Sequence, residues 1–251
     1  MKNKKIQIYT EIGMAVLLVL FLGLSVDEIE RKILQAKVSE QAVLENEEKC
    51  MKEEETEENS VSEVQEEAEE VIAAGQYPIM GKTSVTKEQM VAWYEKYNNG
   101  YPAEILEKGG AESIEDFCQI YIEEAQAEGV RAEVAFAQTM KETGWLQFGG
   151  DASIKQYNFA GIGTTGGGVP GNSFPDVRTG VRAQIQHLKA YASEERLLQE
   201  CVDQRYEYVT KGCAPYVEWL GQKENPLGTG WATADNYGYD IVKMIEELKG
   251  I

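Results

Sequence analysis

Between Glu45 and Glu70 the sequence carries 13 glutamates against two lysines, Lys49 and Lys52, a net −11 in 26 residues. A stretch so charged repels itself and holds too few apolar side chains to bury a core. Whatever folds must fold on one side of it. Residues 28–76 read as a charged stalk, helical at first and disordered through the glutamate run, and globular composition begins near Gln76. The rest of the chain holds only −8 of the total −19. It shows no basic stripe of the kind that binds nucleic acid.

Ahead of the stalk, Lys2, Lys4 and Lys5 precede an uncharged apolar run from Ile12 to Val26. That run is short for a bilayer span, which takes about 20 residues, and extending it to Ile6 takes in Glu11. Residues 1–27 therefore read as a signal anchor or a signal peptide, with Leu24-Ser25-Val26 a poor cleavage site. The lysines lie on the near side and Asp27, Glu28 and Glu30 on the far side, which places the remainder outside the cytoplasm. Ile29, Ala36, Val43 and Cys50 fall at heptad spacing, but Glu40 and Glu47 interrupt the seam. A monomer, or a weak dimer through residues 28–50, follows.

Residues 77–251 contain six helical patterns. They run over Thr86–Tyr97 with Thr86 as a cap, Ser113–Ala127 opened by an S-x-x-D capping pattern, and Ala132–Thr143 stopped by Gly144. Arg178–Ala192, a short helix at Tyr216–Leu220 and a last helix from Asp235 complete the set. The segment Gly163–Phe174 is too glycine-rich for a helix and reads as a hairpin or flap. The fold class is mainly α, with at most a small β element. Cys201 and Cys213 close a short loop and are the candidate disulfide of an extracytoplasmic chain, whereas Cys118 sits in an apolar helical context. With His187 the sole histidine and no C-x-x-C, the sequence calls for no metal and no cofactor.

One carboxylate stands out. In A-Q-T-M-K-E-T-G-W, Glu142 lies at the negative end of a helix, three residues before Trp145, with Phe148 close behind. A helix C-terminus and partial burial both favour the protonated carboxyl. Protonation is what a general acid needs in order to protonate the leaving oxygen of a glycosidic bond. The alternative at residue level is an exposed glutamate at a helix end. Aromatic rings nearby suit sugar faces, though large aromatics are as often core.

Four blocks, A-F-A-Q-T-M-K-E-T-G-W, Y-N-F-A-G-I, F-P-D-V-R-T-G-V-R-A-Q-I-Q-H-L and W-A-T-A-D-N-Y-G-Y-D-I, occur in an order that resembles the bacterial glucosaminidase domain of glycoside hydrolase family 73. The likeness covers roughly Ser113 to Leu248. It implies a lysozyme-like helical domain with a small β-lobe that cleaves the β-1,4 bond after N-acetylglucosamine in peptidoglycan glycan strands. Some members are described with mannosyl-glycoprotein substrates, which nothing in these residues selects. The resemblance makes Glu142 the general acid and places Asn158, Phe159 and Gly161 along the cleft floor. It matches Tyr237 to a tyrosine that assists catalysis or holds the acetamido group, the alternative being a packing tyrosine. Trp145 and Trp231 line subsites or belong to the core.

A second carboxylate is missing from the flap. Asp176 just beyond it is the candidate base or nucleophile, with Asp151 second, although Asp176 also stands where a helix cap belongs. Assistance by the substrate's acetamido group would remove the need for either. Three functions stay open: a membrane-anchored or wall-secreted endo-β-N-acetylglucosaminidase, a lytic transglycosylase using Glu142 alone, and a non-catalytic wall-binding protein.

Overall fold

The long helices begin where side chains take up free backbone amides and end where the chain can turn left-handed. In the computed structural model, which describes residues 72–97, 100–149, 152–164, 168 and 171–251, the chain divides into units 1–69 and 70–251. The signal or anchor at residues 1–27, the dimer segment 28–50, the glutamate run and Asp151 lie outside the described residues. Among the described residues no helix is long and apolar enough to cross a membrane.

Thr86 and Gln89 exchange hydrogen bonds at the start of α1 (Lys87–Tyr97). A single turn, α2 (Ala103–Leu106), follows. Ser113 and Asp116 close a reciprocal cap at the start of α3 (Ile114–Glu128), as the S-x-x-D spacing predicts. Gly129 at φ 73° ends α3, and Gly144 at φ 56° ends α4 (Ala132–Thr143). Asp176 caps α5 (Val177–Ala192). The last helix, α6 (Tyr237–Lys249), starts two residues later than the sequence suggests because Asn236 takes a left-handed conformation at φ 59°. The segment at Tyr216–Leu220 is a 3₁₀ turn, Val217–Leu220. Helix α2 and the 3₁₀ turns at Ile154–Gln156 and Tyr206–Tyr208 are too short to leave a periodic signal.

Helix α4 is the centre of the domain. Ten of its 12 residues are buried, so it has no solvent face of its own. It packs against α3, α5 and α6, and Phe136 meets Phe117, Tyr121 and Trp93 through tilted and edge-on ring contacts. The chain entering the domain straps this core: Ile79 N donates to Pro215 O, Arg131 N to Ile79 O and Val217 N to Tyr77 O. Glu133, buried at the start of α4, accepts from the Tyr77 hydroxyl at 3.1 Å and the Ser84 hydroxyl at 2.7 Å, and Arg131 lies 3.8 Å away. A buried carboxylate is tolerated only with such partners.

The architecture is a mainly helical, lysozyme-like domain. Its β content among the described residues is limited to the isolated bridges Pro78–Tyr216, Met80–Val130 and Gly221–Ala232. The two legs of the flap meet where Asn172 N donates to Ile162 O at 2.9 Å.

The disulfide expectation is corrected. Cys201 and Cys213 are both free, Cys201 exposed with its thiol at the Asp203 carbonyl, Cys213 buried in the main core. Closeness in sequence does not bring the two sulfurs together, because one side chain turns to solvent and the other inward.

Candidate active site

Glu142 sits in the last turn of α4, where three successive residues, Gly144, Trp145 and Leu146, adopt φ of 56–62° and swing the chain away from the helix axis. Left-handed geometry costs a non-glycine residue about 1 kcal/mol or more. Burial of Leu146 and packing of Trp145 offset it. The Thr143 hydroxyl clamps the turn by donating to Thr139 O at 2.7 Å and accepting from Leu146 N at 2.9 Å.

The Glu142 carboxyl meets the Tyr237 hydroxyl, which donates to its Oε1. Glu142 is open to solvent on one side, but protein surrounds the rest of the side chain. That burial raises its pKa above the ordinary carboxylate value. The hydrogen bond from Tyr237 and the positive charge of Lys141 pull the other way without overcoming it. Lys141 is itself held by Asp240 at 2.7 Å. A carboxyl that holds its proton more firmly than an ordinary carboxylate and faces solvent can deliver it to a bound oxygen.

Tyr237 reaches Glu142 because Gly238, next in α6, lies where a Cβ would stand 2.1 Å from Val217 O. The phenol is buried. Its pKa is pushed well up, first by burial and then by the Glu142 charge. Behind it runs a chain of buried polar groups. Gln138 Nε2 donates to the Tyr237 oxygen at 3.1 Å, and Gln184 Nε2 donates to Gln138 Oε1 and Ala135 O, both at 2.9 Å. Gln184 Oε1 accepts from Tyr121 and Thr139 at 2.9 Å. Each amide is locked in one orientation by these partners, so the phenol is held from behind by α4 and α5 together. Gln138 and Gln184 escaped the sequence reading; the available signal was a glutamine on the inward face of an apolar helix, which demands a partner.

The other expected site residues separate into two groups. Asn158 is buried, with Nδ2 donating to Ile162 O at 2.9 Å and Asn172 O at 3.0 Å, and Oδ1 accepting from Ile162 N. It pins the base of the flap. Phe159 is buried against Phe117 at 5.0 Å. Trp145 stacks on Tyr97 at 4.7 Å and tilts onto Trp93 at 4.6 Å. Asp176 accepts from Thr179 N at 2.7 Å as the cap of α5. These are framework contacts.

Gly161 and Trp231, by contrast, line one groove of about 200 Å³ together with Thr164, His187, Tyr191 and Arg205. Tyr191, on this groove, lies within electrostatic reach of the Tyr237 phenol. Burial pushes the pKa of Tyr191 itself up to about 12. His187 stands edge-on to Trp231 at 4.8 Å and to Tyr191 at 5.4 Å, with Nδ1 2.6 Å from the buried Asp203 carboxylate. Among the described residues no group of three or more His, Cys, Asp or Glu gathers as a metal centre would.

A helical frame with one elevated carboxyl at the end of its central helix, beside a groove of aromatic rings, has the design of a lysozyme-like glycosidase domain. The family model described as mannosyl-glycoprotein endo-beta-N-acetylglucosaminidase matches residues 118–250, and the chain belongs to this glucosaminidase family. An uncharacterized protein of Borreliella burgdorferi is 37% identical over 148 residues, 59% of this chain and 69% of its own length. No solved structure matches the chain.

Proposed function

We propose that this chain is an endo-β-N-acetylglucosaminidase that hydrolyses the β-1,4 bond after N-acetylglucosamine in peptidoglycan, with Glu142 as general acid. The observation that carries the reading is the Glu142 carboxyl, raised in pKa by burial, gripped by Tyr237 and still open to solvent. Protonated Glu142 gives its proton to the glycosidic oxygen as the bond to the anomeric carbon breaks and its electron pair leaves with that oxygen. The substrate's acetamido oxygen bonds to the anomeric carbon as that bond breaks; water, losing one proton to Glu142, then forms the new bond there and releases the acetamido oxygen. Asp176 has one oxygen committed to the α5 cap. The reading therefore gives the nucleophile's role to the substrate's own acetamido oxygen. Gly161 and Trp231 bind the sugar in the groove, with Asn158 and Phe159 supporting its floor. Trp145 borders the cleft from the turn that follows Glu142.

The residue 1–27 segment is proposed as the anchor or export signal that places the enzyme outside the membrane. The charged segment that follows, which lies outside the described residues, is proposed as its spacer.

The engagement of Asp176 also favours a second reading, a lytic transglycosylase in which Glu142 alone acts as acid and then base. Mass spectrometry of peptidoglycan digested by the full chain separates them. New reducing N-acetylglucosamine ends are the expected result. Anhydro-muramoyl ends would replace the hydrolase by the transglycosylase, and no new ends would leave a wall-binding protein.

Tyr237→Phe tests the grip on the carboxyl. Since the phenol's hydrogen bond lowers the Glu142 pKa, losing it raises that pKa further. The acid then stays protonated to higher pH, so the alkaline limb of the rate profile moves up while kcat at the optimum falls by roughly tenfold. A limb that moves down, or stays in place, contradicts this role.

A further inference from the structure

One buried carboxylate organises the groove lined by Gly161, Trp231 and Arg205. Asp203 Oδ2 faces His187 Nδ1 at 2.6 Å, and its Oδ1 accepts from Arg205 N at 2.8 Å. Gln186 Oε1 accepts from Val202 N at 2.8 Å and Asp203 N at 3.3 Å, fastening the same loop to α5. A carboxylate only accepts, so His187 Nδ1 carries the proton there and Nε2 is left to hydrogen-bond a sugar hydroxyl. Trp231 and Tyr191 both stand edge-on to that imidazole and lie 5.7 Å from each other, so the three rings form one cluster. The Arg205 guanidinium lies over the Tyr208 ring at 4.6 Å, and among the described residues no carboxylate pairs with it. An exposed cation with no carboxylate partner, at the rim of an aromatic groove, is free to pair with an anion supplied from outside. Its planar fork matches a carboxylate in particular.

We infer that this groove is a subsite for a carboxylate-bearing sugar unit, with His187 and Trp231 holding the ring and Arg205 pairing with the carboxylate. The inference rests on the proposed glycosidase activity and makes it selective for acidic glycan over neutral acetylated glycan. In peptidoglycan the carboxylate belongs either to the lactyl ether of a peptide-free muramoyl unit or to the stem peptide.

The test measures kcat/KM for release of reducing ends by the full chain. Substrates are peptidoglycan and the same material with its carboxylates converted to amides, each with and without its stem peptides. Wild type is expected to lose about tenfold on amidation, the equivalent of 1.4 kcal/mol. Arg205→Gln is expected to lose a similar factor on the native glycan and to stop distinguishing native from amidated substrate. Arg196→Gln, an exposed arginine away from the groove, controls for net charge. Sensitivity that survives peptide removal assigns the lactyl carboxylate; sensitivity lost with the peptide assigns the stem carboxylate; either supports the subsite. Arg205→Gln that remains as sensitive to amidation as wild type overturns it, as does Arg196→Gln matching Arg205→Gln. Wild type that releases no ends from any substrate overturns instead the activity itself.

Discussion

Glu142→Gln is expected to lower kcat for glycan cleavage by roughly 10³-fold, within the range general acid catalysis supplies, with KM and the thermal midpoint little changed. The amide keeps the size of the side chain and still offers an oxygen to the Tyr237 hydroxyl, so packing and orientation survive. What disappears is the proton that burial holds on the carboxyl. Release of reducing ends from peptidoglycan, followed beside a thermal melt, reads both quantities. Residual activity within tenfold of wild type would remove Glu142 from the chemistry. Asp176→Asn makes the matching comparison, because asparagine caps a helix about as well as aspartate. It is expected to retain activity within a few-fold. A loss comparable to Glu142→Gln would make Asp176 the second catalytic group.

Gly180→Ala carries the largest expected effect on the fold. A Cβ at this position of α5 would stand 1.8 Å from Tyr157 O and 2.9 Å from Tyr157 C, both backbone atoms with no flexible end to yield. Tyr157 is itself held at φ 50° at the end of the Ile154–Gln156 turn. Relief of the clash must push α5 away from the loop that Asn158 pins. Overpacking of this kind costs about 3 kcal/mol, which outweighs the roughly 1 kcal/mol that alanine gains over glycine inside a helix. At about 2–4 °C per kcal/mol for a domain of this size, the net loss of about 2 kcal/mol should lower the midpoint by roughly 4–8 °C. Gly100→Ala, where an added Cβ would meet no atom within 4 Å, should leave it nearly unmoved. An unchanged midpoint for Gly180→Ala would mean that α5 and the Tyr157 loop do not approach as described.

Much of the helical frame was legible residue by residue. Ala132–Thr143 carries the same boundaries in sequence and structure, because Gly144 can turn left-handed and its neighbours follow. The Thr86 and Ser113 caps form as their spacing demands. Asp235 misled as a helix start, since the left-handed Asn236 postpones α6. Cys201 and Cys213 misled as a pair, since twelve residues of spacing say nothing about which way each thiol faces. Among the site residues, Gly161 and Trp231 do meet in one groove, while Asn158 spends its amide and Asp176 one carboxylate oxygen on the backbone. His187, Asp203 and Arg205 converge from α5 and the loop after it, a convergence no periodicity announces.

By itself the sequence determined where a core is affordable, where four long helices start and stop to within two residues, and which carboxyl stands at a helix's negative end. Those outcomes depend on charge density, caps and periodicity, which act over one or two turns of chain. Tertiary structure alone decided that Tyr237 grips Glu142 across 95 positions, that Gln138 and Gln184 brace the phenol, and that Asp203 sets His187 and Arg205 in one groove. The physical reason is that desolvation and hydrogen-bond satisfaction depend on what packs around a group from every direction, and that surrounding exists only once distant segments have closed on one another.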